Sequence, residues 1–477
     1  MADSTLNYDE HVSGLVVKGR AAQKIAEGYT QERVDELCEA VAYALTIPEV
    51  ALELGKTLVA ESGMGVAEDK RLKIYSKVKG SWAQMKGKKS IGLIESDKER
   101  GIDKYAKPMG IIGAVTPVTN GEATPMVKSL MAIKTRNAII ISPHPRAKNT
   151  SFEIVKIIRE VLEKFDAPTD LVQVIEPGFV SVESSKSLMR QADFILATGS
   201  TPMVRQAYSS GVPAIGVGTG NVVCIVDESA DLASAAKKLI RSKTFDNATS
   251  CSTENNIIVF EEVYDKWLEE MEKVGCVVIK EGTSEKAKIL KIIWPESPEN
   301  HNLNTGIVAK PAADIMRFAG LEMPEEARLI LVEENGGYGN DYPFTGEKLS
   351  PVASVRKAKD FEDALEKMIS ILNYQGMGHS VGIHTKIEER IVKIAERIPV
   401  TKVVVNQPQS LVNSGSWTSG YPVTMTLGCG TWGYNSISHN ATWQDLLNFT
   451  YVSREIPSWQ PSDEELFSER IRAKFNK

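Results

Sequence analysis

No stretch of this chain stays apolar for the roughly 18 residues that a membrane-spanning helix needs, so the sequence gives no bilayer signal. Positive charge is also short: 56 Lys and Arg against 62 Asp and Glu leave a formal charge of −6. With no long basic run, an electrostatic nucleic-acid partner is excluded. Cysteine is sparse, with Cys38, Cys224, Cys251, Cys276 and Cys429 scattered without a CxxC or zinc-like pairing. An odd, unpaired set reads as reduced thiols, so neither a disulfide scaffold nor a metal site is expected. The opening Met1–Glu10 is polar and acidic and lacks the parts of a signal peptide, which points to the cytoplasm. Internal repeats and low-complexity segments are missing. So is a Gly-x-Gly-x-x-Gly after the first strand, which excludes an ordinary dinucleotide fingerprint.

What remains is a globular chain of 477 residues, 42% hydrophobic and 25% charged, too long for one core and suited to two or three domains. Val34, Leu37, Val41 and Leu45 recur at helical spacing behind Thr30, a plausible N-cap, and predict helices over about 12–54 that cover a sheet. Residues 88–106 read as strand and turn, an arm projecting from the body. From Gly110 the pattern alternates: strands at 110–115, 138–142, 171–175 and 193–197, with helices between them. That alternation predicts a parallel, doubly wound sheet whose ligands sit at the carboxyl ends of its strands. Strand–helix alternation resumes after Phe260. The expected organisation is a Rossmann-like dinucleotide-binding domain over 1–246, a catalytic domain over 247–425, and a segment 426–477 returning to the cofactor domain or the arm.

The strand ends carry the chemistry. Asn120 closes Thr116-Pro117-Val-Thr-Asn120, where it either caps the next helix or offers its amide to an oxyanion. Thr198-Gly199-Ser200 before a helix is either a plain capping turn or a set of N–H groups facing a pyrophosphate. His144 lies between two prolines and reads as a turn residue or a base, with Arg146 and Lys148 just beyond it. Gly216, Gly218 and Gly220 imply close backbone approach. Cys251 sits in a Ser/Thr/Asn-rich turn before the apolar run Ile257–Phe260, an unusual place for a packing cysteine. It is either an inconsequential loop thiol or a reachable nucleophile. Cys224 reads as core and Cys429, between glycines, as structural.

Together these pieces resemble the aldehyde dehydrogenase superfamily across nearly the whole chain. The order is the same: the strand-end asparagine, the Thr-Gly-Ser turn, the glycine-rich segment, the Cys251 loop, then Glu347-Lys-Leu349-Ser-Pro351 in the place of the cofactor-ribose glutamate. The resemblance implies an α/β fold with a cofactor domain, a catalytic domain and a small oligomerisation β-arm. It implies Cys251 and Asn120 as catalytic residues. Thr116, Pro117, His144, Arg146, Lys148, Thr198, Gly199, Ser200, Gly216, Gly218, Glu347 and Leu349 would bind NAD or NADP. Arg146 and Lys148 incline the reading toward the 2′-phosphate of NADP.

Where hydrolytic members carry a glutamate in a Glu-Leu-Gly-Gly segment, this chain reads Gly216-Val-Gly-Thr-Gly220. Without that general base for water, a thioester survives until a thiol attacks it. Gly376-Met-Gly-His379 and Leu427-Gly-Cys-Gly-Thr-Trp-Gly433 likewise resemble the coenzyme A-acylating branch, with His379 on the coenzyme A route or merely structural. Within that branch, Ser242–Cys251 and Asp341–Pro351 are most similar to acylating sulfoacetaldehyde dehydrogenases. Val405-Asn-Gln-Pro408 is similar to the acylating succinate-semialdehyde enzymes. Both substrates are anionic, and Asn406, Gln407, Ser414 and Ser416 are the candidates to receive the anion. The expected partners are a small aldehyde, coenzyme A and further copies of the chain, as a dimer or tetramer.

Overall fold

A computed structural model of the chain describes residues 7–297 and 299–475. The polar start over residues 1–6, read as lacking an export signal, lies outside them. Among the described residues no helix is long and apolar enough to cross a membrane.

The backbone organises as two parallel sheets and a short antiparallel one. The first sheet runs Val172–Val174, Ala138–Ser142, Ile111–Val115, Phe194–Thr198, Ala214–Val217 in spatial order, every pairing parallel. The chain enters at the central strand Ile111–Val115, works outward to one side, then returns to the other. The order therefore reverses between Val115 and Thr198, which opens a crevice at the carboxyl ends of those two strands. The strands are unbroken runs of buried Ile, Val, Ala and Leu, as a sheet covered on both faces requires. Helices Tyr8–Ala26, Gln31–Leu45, Pro48–Ser62 and Ala67–Met85 contribute to its core. Thr30 caps the second of these as its sequence position suggests, accepting from Arg33 N at 3.3 Å.

The second sheet has seven parallel strands, ordered Cys276–Ile279, Leu329–Glu333, Val352–Ala358, Glu254–Phe260, Val222–Val226, Val381–His384, Val403–Val405. Its earliest strand in the chain, Val222–Val226, pairs with Glu254–Phe260, so the sheet takes strands from both sides of residue 246. Cys224 on that strand is buried. The glycine-rich segment opens as a strand, Ala214–Val217, at the edge of the first sheet.

The arm is a three-stranded antiparallel sheet of Gly92–Asp97, Ile102–Pro108 and Leu447–Ser453. The C-terminal segment reaches it after passing the first core, where Ala441, Trp443, Leu446 and Leu447 are buried. The part of that segment around Met425 and Leu427 instead lines the cavity described next.

Candidate active site

One cavity of about 1170 Å³ runs between the two parallel sheets. Its walls come from opposite edges. Val115, Thr116, Thr198 and Gly199 lie at the carboxyl ends of first-sheet strands, whereas Cys251 and Glu347 lie before second-sheet strands. His379 precedes the strand Val381–His384 on the same amino edge. The irregular link from one sheet to the other, through Gly218 and Gly220, passes against the cysteine backbone. A Cβ on Gly220 would stand 2.2 Å from the Cys251 carbonyl oxygen, so only glycine permits that approach.

Cys251 is presented by an improbable turn. Asp246, Asn247 and Ala248 all have φ between 50° and 64°, a region that costs a non-glycine residue about 1–2 kcal/mol. The surroundings must therefore impose it, and Asp246 shows how. Its carboxylate accepts from Val66 N (2.8 Å), Lys70 Nζ (3.0 Å), Lys73 Nζ (2.6 Å) and Thr249 Oγ1 (2.7 Å), and its own N–H donates to Asp69 (2.8 Å). The lysines come from helix Ala67–Met85, and Glu122 lies 3.1 Å from Lys73. The two cations outweigh desolvation and hold the Asp246 carboxyl below its ordinary range; Lys73 is raised by the same partners.

Lys73 also sets Asn120. Its Nζ donates to Asn120 Oδ1 at 2.8 Å, which fixes the amide with its oxygen engaged and Nδ2, 3.5 Å from Thr119 Oγ1, as its donor end. The capping alternative fails, since the helix starts at Ala123 and Asn120 contributes only its backbone carbonyl, to Thr124 N.

The Cys251 sulfur stands 3.3 Å from His379 Nε2, and His379 Nδ1 is 2.9 Å from Ser380 Oγ. Burial, with Glu347 and Cys429 adding to it, pushes the Cys251 thiol up to about 12. Burial and then the Lys402 ammonium push His379 down to about 3. At neutral pH the pair is therefore thiol and neutral imidazole. No carboxylate hydrogen-bonds to the sulfur among the described residues. Glu347, pushed up to about 8 by burial, keeps Oε1 inaccessible and unpartnered beside the cavity, and Thr116 Oγ1 is likewise unpartnered. Two orphan polar atoms in an elongated crevice at a topological switch point fit the ribose and amide groups of a nicotinamide dinucleotide.

Residues 9–286 match the model of the aldehyde dehydrogenase family. The chain belongs to that family. It is 42% identical over 97% of its length to the sulfoacetaldehyde dehydrogenase of an Acholeplasma species, covering 94% of that protein. It is 42% identical to the acylating sulfoacetaldehyde dehydrogenase of Bilophila wadsworthia, over 96% of this chain and 98% of the relative. Among solved structures, the acetylating aldehyde dehydrogenase of Geobacillus thermoglucosidasius superposes with a TM-score of 0.90 at 36% identity, covering 97% of this chain and 100% of that one.

In this aldehyde dehydrogenase most of the expected residues do meet. Thr116, Pro117, Asn120, His144, Thr198, Gly199, Ser200, Gly218, Cys251, Glu347, Leu349, Ser414 and Ser416 all line the cavity. Six do not. A side chain at Gly216 would strike Val204 at 2.7 Å and the Tyr208 ring at 3.1 Å, so position 216 points away from Cys251 and from the crevice. Arg146 turns its guanidinium to the Ser62 carbonyl, and Lys148 opens the helix Lys148–Lys164; neither lines the cavity, which removes the cation pair that favoured NADP. Asn406 is a left-handed corner residue, φ 53°, whose amide bonds both Thr385 N and Thr385 O, and Gln407 beside it is also off the cavity. His379 is likewise off the lining and stands against the sulfur, 3.3 Å from it. Sequence reading missed Lys73, Lys77 and Asp246. The signal was there in Lys70-x-x-Lys73-x-x-x-Lys77, a helical stripe of one charge.

Proposed function

We propose that the chain oxidises a small anionic aldehyde, sulfoacetaldehyde, to its acyl-coenzyme A thioester with NAD or NADP. The observation that carries this is the Cys251 thiol, hydrogen-bonded to a neutral imidazole and, among the described residues, to no carboxylate, in the cavity between the two sheets. As the sulfur attacks the aldehyde carbon, its proton passes to His379 Nε2, with Nδ1–H held by Ser380 Oγ. The carbonyl oxygen becomes an oxyanion received by Asn120 Nδ2 and the Cys251 N–H; one such donor is worth about 2.7–4 kcal/mol. The bound dinucleotide supplies the hydride acceptor, and Glu347 and Thr116 are placed to hold it. What remains on the enzyme is a Cys251 thioester. The thiol of coenzyme A then attacks its carbonyl carbon, the bond to Cys251 breaks, and the cysteine sulfur leaves with a proton. With no carboxylate hydrogen-bonded to the sulfur among the described residues, and Glu347 assigned to the dinucleotide, the site favours the thiol, already the better nucleophile.

The similarity to acylating sulfoacetaldehyde dehydrogenases supports the substrate. A panel of sulfoacetaldehyde, succinate semialdehyde and acetaldehyde, assayed with each dinucleotide, tests it. Reduced dinucleotide should form continuously only when coenzyme A is present, and fastest with sulfoacetaldehyde. Full turnover without coenzyme A would end the acylating assignment. The chain is further proposed to act in the cytoplasm as a homodimer or homotetramer built through the three-stranded arm.

A further inference from the structure

Lys77 lies on helix Ala67–Met85 one turn beyond Lys73, the lysine that orients Asn120. It is buried, 6% exposed, and its ammonium donates to the carbonyl oxygens of Gly415 (2.6 Å) and Ser414 (3.3 Å). Its two companions on the helix, Lys70 and Lys73, share the carboxylates of Asp246 and Glu122. Lys77 has no carboxylate within ion-pair distance among the described residues. A buried cation satisfied by carbonyls alone can be purely structural, and Lys128 is such a case: it donates to Val115 O and Leu196 O and lines no cavity. Lys77 differs because it forms the cavity wall together with Ser414 and Ser416. An uncompensated charge at the edge of a cavity favours an anion there.

We propose that Lys77 determines substrate specificity, its ammonium receiving the terminal anion of the aldehyde with the Ser414 and Ser416 hydroxyls beside it. This rests on the aldehyde-oxidising reading of the same cavity. The spacing suits a short substrate. Residues one helical turn apart are separated by about 5–6 Å, and Lys73 marks the oxyanion end through Asn120. A sulfonate on the carbon next to the aldehyde spans that distance. Burial and then the neighbouring Lys73 charge lower the Lys77 ammonium to about 7, so an arriving anion also holds its proton. Arg241 and Arg328 line the same cavity and draw anions inward, while Asp69, the acid on this wall, is engaged by Asp246 N.

The test compares wild type with Lys77→Met and Lys77→Gln; the glutamine keeps a donor for the Ser414 and Gly415 carbonyls without the charge. Sulfoacetaldehyde, succinate semialdehyde and uncharged propionaldehyde serve as substrates, and ethanesulfonate as an inhibitor competing with propionaldehyde. The sulfoacetaldehyde-to-propionaldehyde ratio of kcat/KM should fall by about 30-fold or more in both variants, chiefly through KM, and ethanesulfonate should weaken in parallel. Equal losses on charged and uncharged aldehydes, or ethanesulfonate inhibition that survives in Lys77→Gln, overturn the role of Lys77. The wild-type preferences test the substrate assignment separately. A wild type preferring succinate semialdehyde, with that preference lost in Lys77→Gln, supports Lys77 and sinks only the sulfonate. A wild type indifferent to all three anions overturns both.

Discussion

A thiol beside a neutral imidazole behaves differently from a preformed thiolate–imidazolium pair, and the two can be told apart by pH. An ion pair keeps its thiolate fraction constant across the neutral range. Here the thiol sits near 12 and the imidazole near 3, so each holds its neutral form between those values. Because the thiol pKa lies above the working range, the thiolate fraction grows as pH rises. Inactivation of the cofactor-free enzyme by iodoacetamide should therefore climb steadily from about pH 6 to pH 10 without a plateau. A plateau beginning near pH 6 would mean that the ion pair forms. Replacing His379 with alanine removes the proton acceptor for thiohemiacetal formation and should lower kcat by about 10²–10⁴-fold. Adding a diffusing base such as imidazole should restore part of that loss, whereas a merely misfolded cavity would not respond.

At the scale of elements, the site depends on one helix holding one turn. Helix Ala67–Met85 lies outside the expected helices, and its buried side carries Lys70, Lys73 and Lys77, three lysines on a face that ordinarily marks solvent. Their burial follows from partners supplied by Asp246 and Glu122, which lie far away in sequence and cannot be paired by pattern alone. The Cys251 turn was legible as composition, a polar stretch before an apolar strand, while its left-handed geometry was not. Asp246→Ala would leave two buried ammonium groups with Glu122 as their one remaining carboxylate among the described residues and release the strained turn, a loss of about 3–5 kcal/mol in urea unfolding. Titration gives a second check. The Asp246 carboxyl is lowered on folding, so its contribution is present above the unfolded value of 3.8 and fades as pH falls through the folded one. Lys73 is raised above 10.5, so its share is complete below that value and fades as pH climbs through the folded one. The stability difference between wild type and Asp246→Ala should thus be flat from about pH 5 to pH 9 and shrink on the acid side.

At the scale of the molecule, the alternation of apolar strands and helices announced parallel sheets. The division between the sheets is not a local property, because Val222–Val226 and Ala214–Val217 are adjacent apolar runs that belong to different sheets. Nothing local distinguishes them; the distinction is which partners each strand finds. The arm poses the same problem, since Leu447–Ser453 pairs with Ile102–Pro108 across more than 300 residues. Its outer strands Gly92–Asp97 and Leu447–Ser453 each have one side free, and Tyr451 is 59% exposed. An open edge carrying an exposed aromatic is a surface that a second copy would cover. Substituting Tyr451 with aspartate should therefore shift the protein to a smaller species in light scattering after size-exclusion chromatography. The described residues of one chain bring Cys251, His379, Asn120 and Glu347 together. The smaller species should accordingly keep kcat within about twofold, at this remove from the chemistry. A dissociated form without activity would show that the partner subunit shapes the cavity, and an assembly indifferent to the substitution would move the interface off this strand.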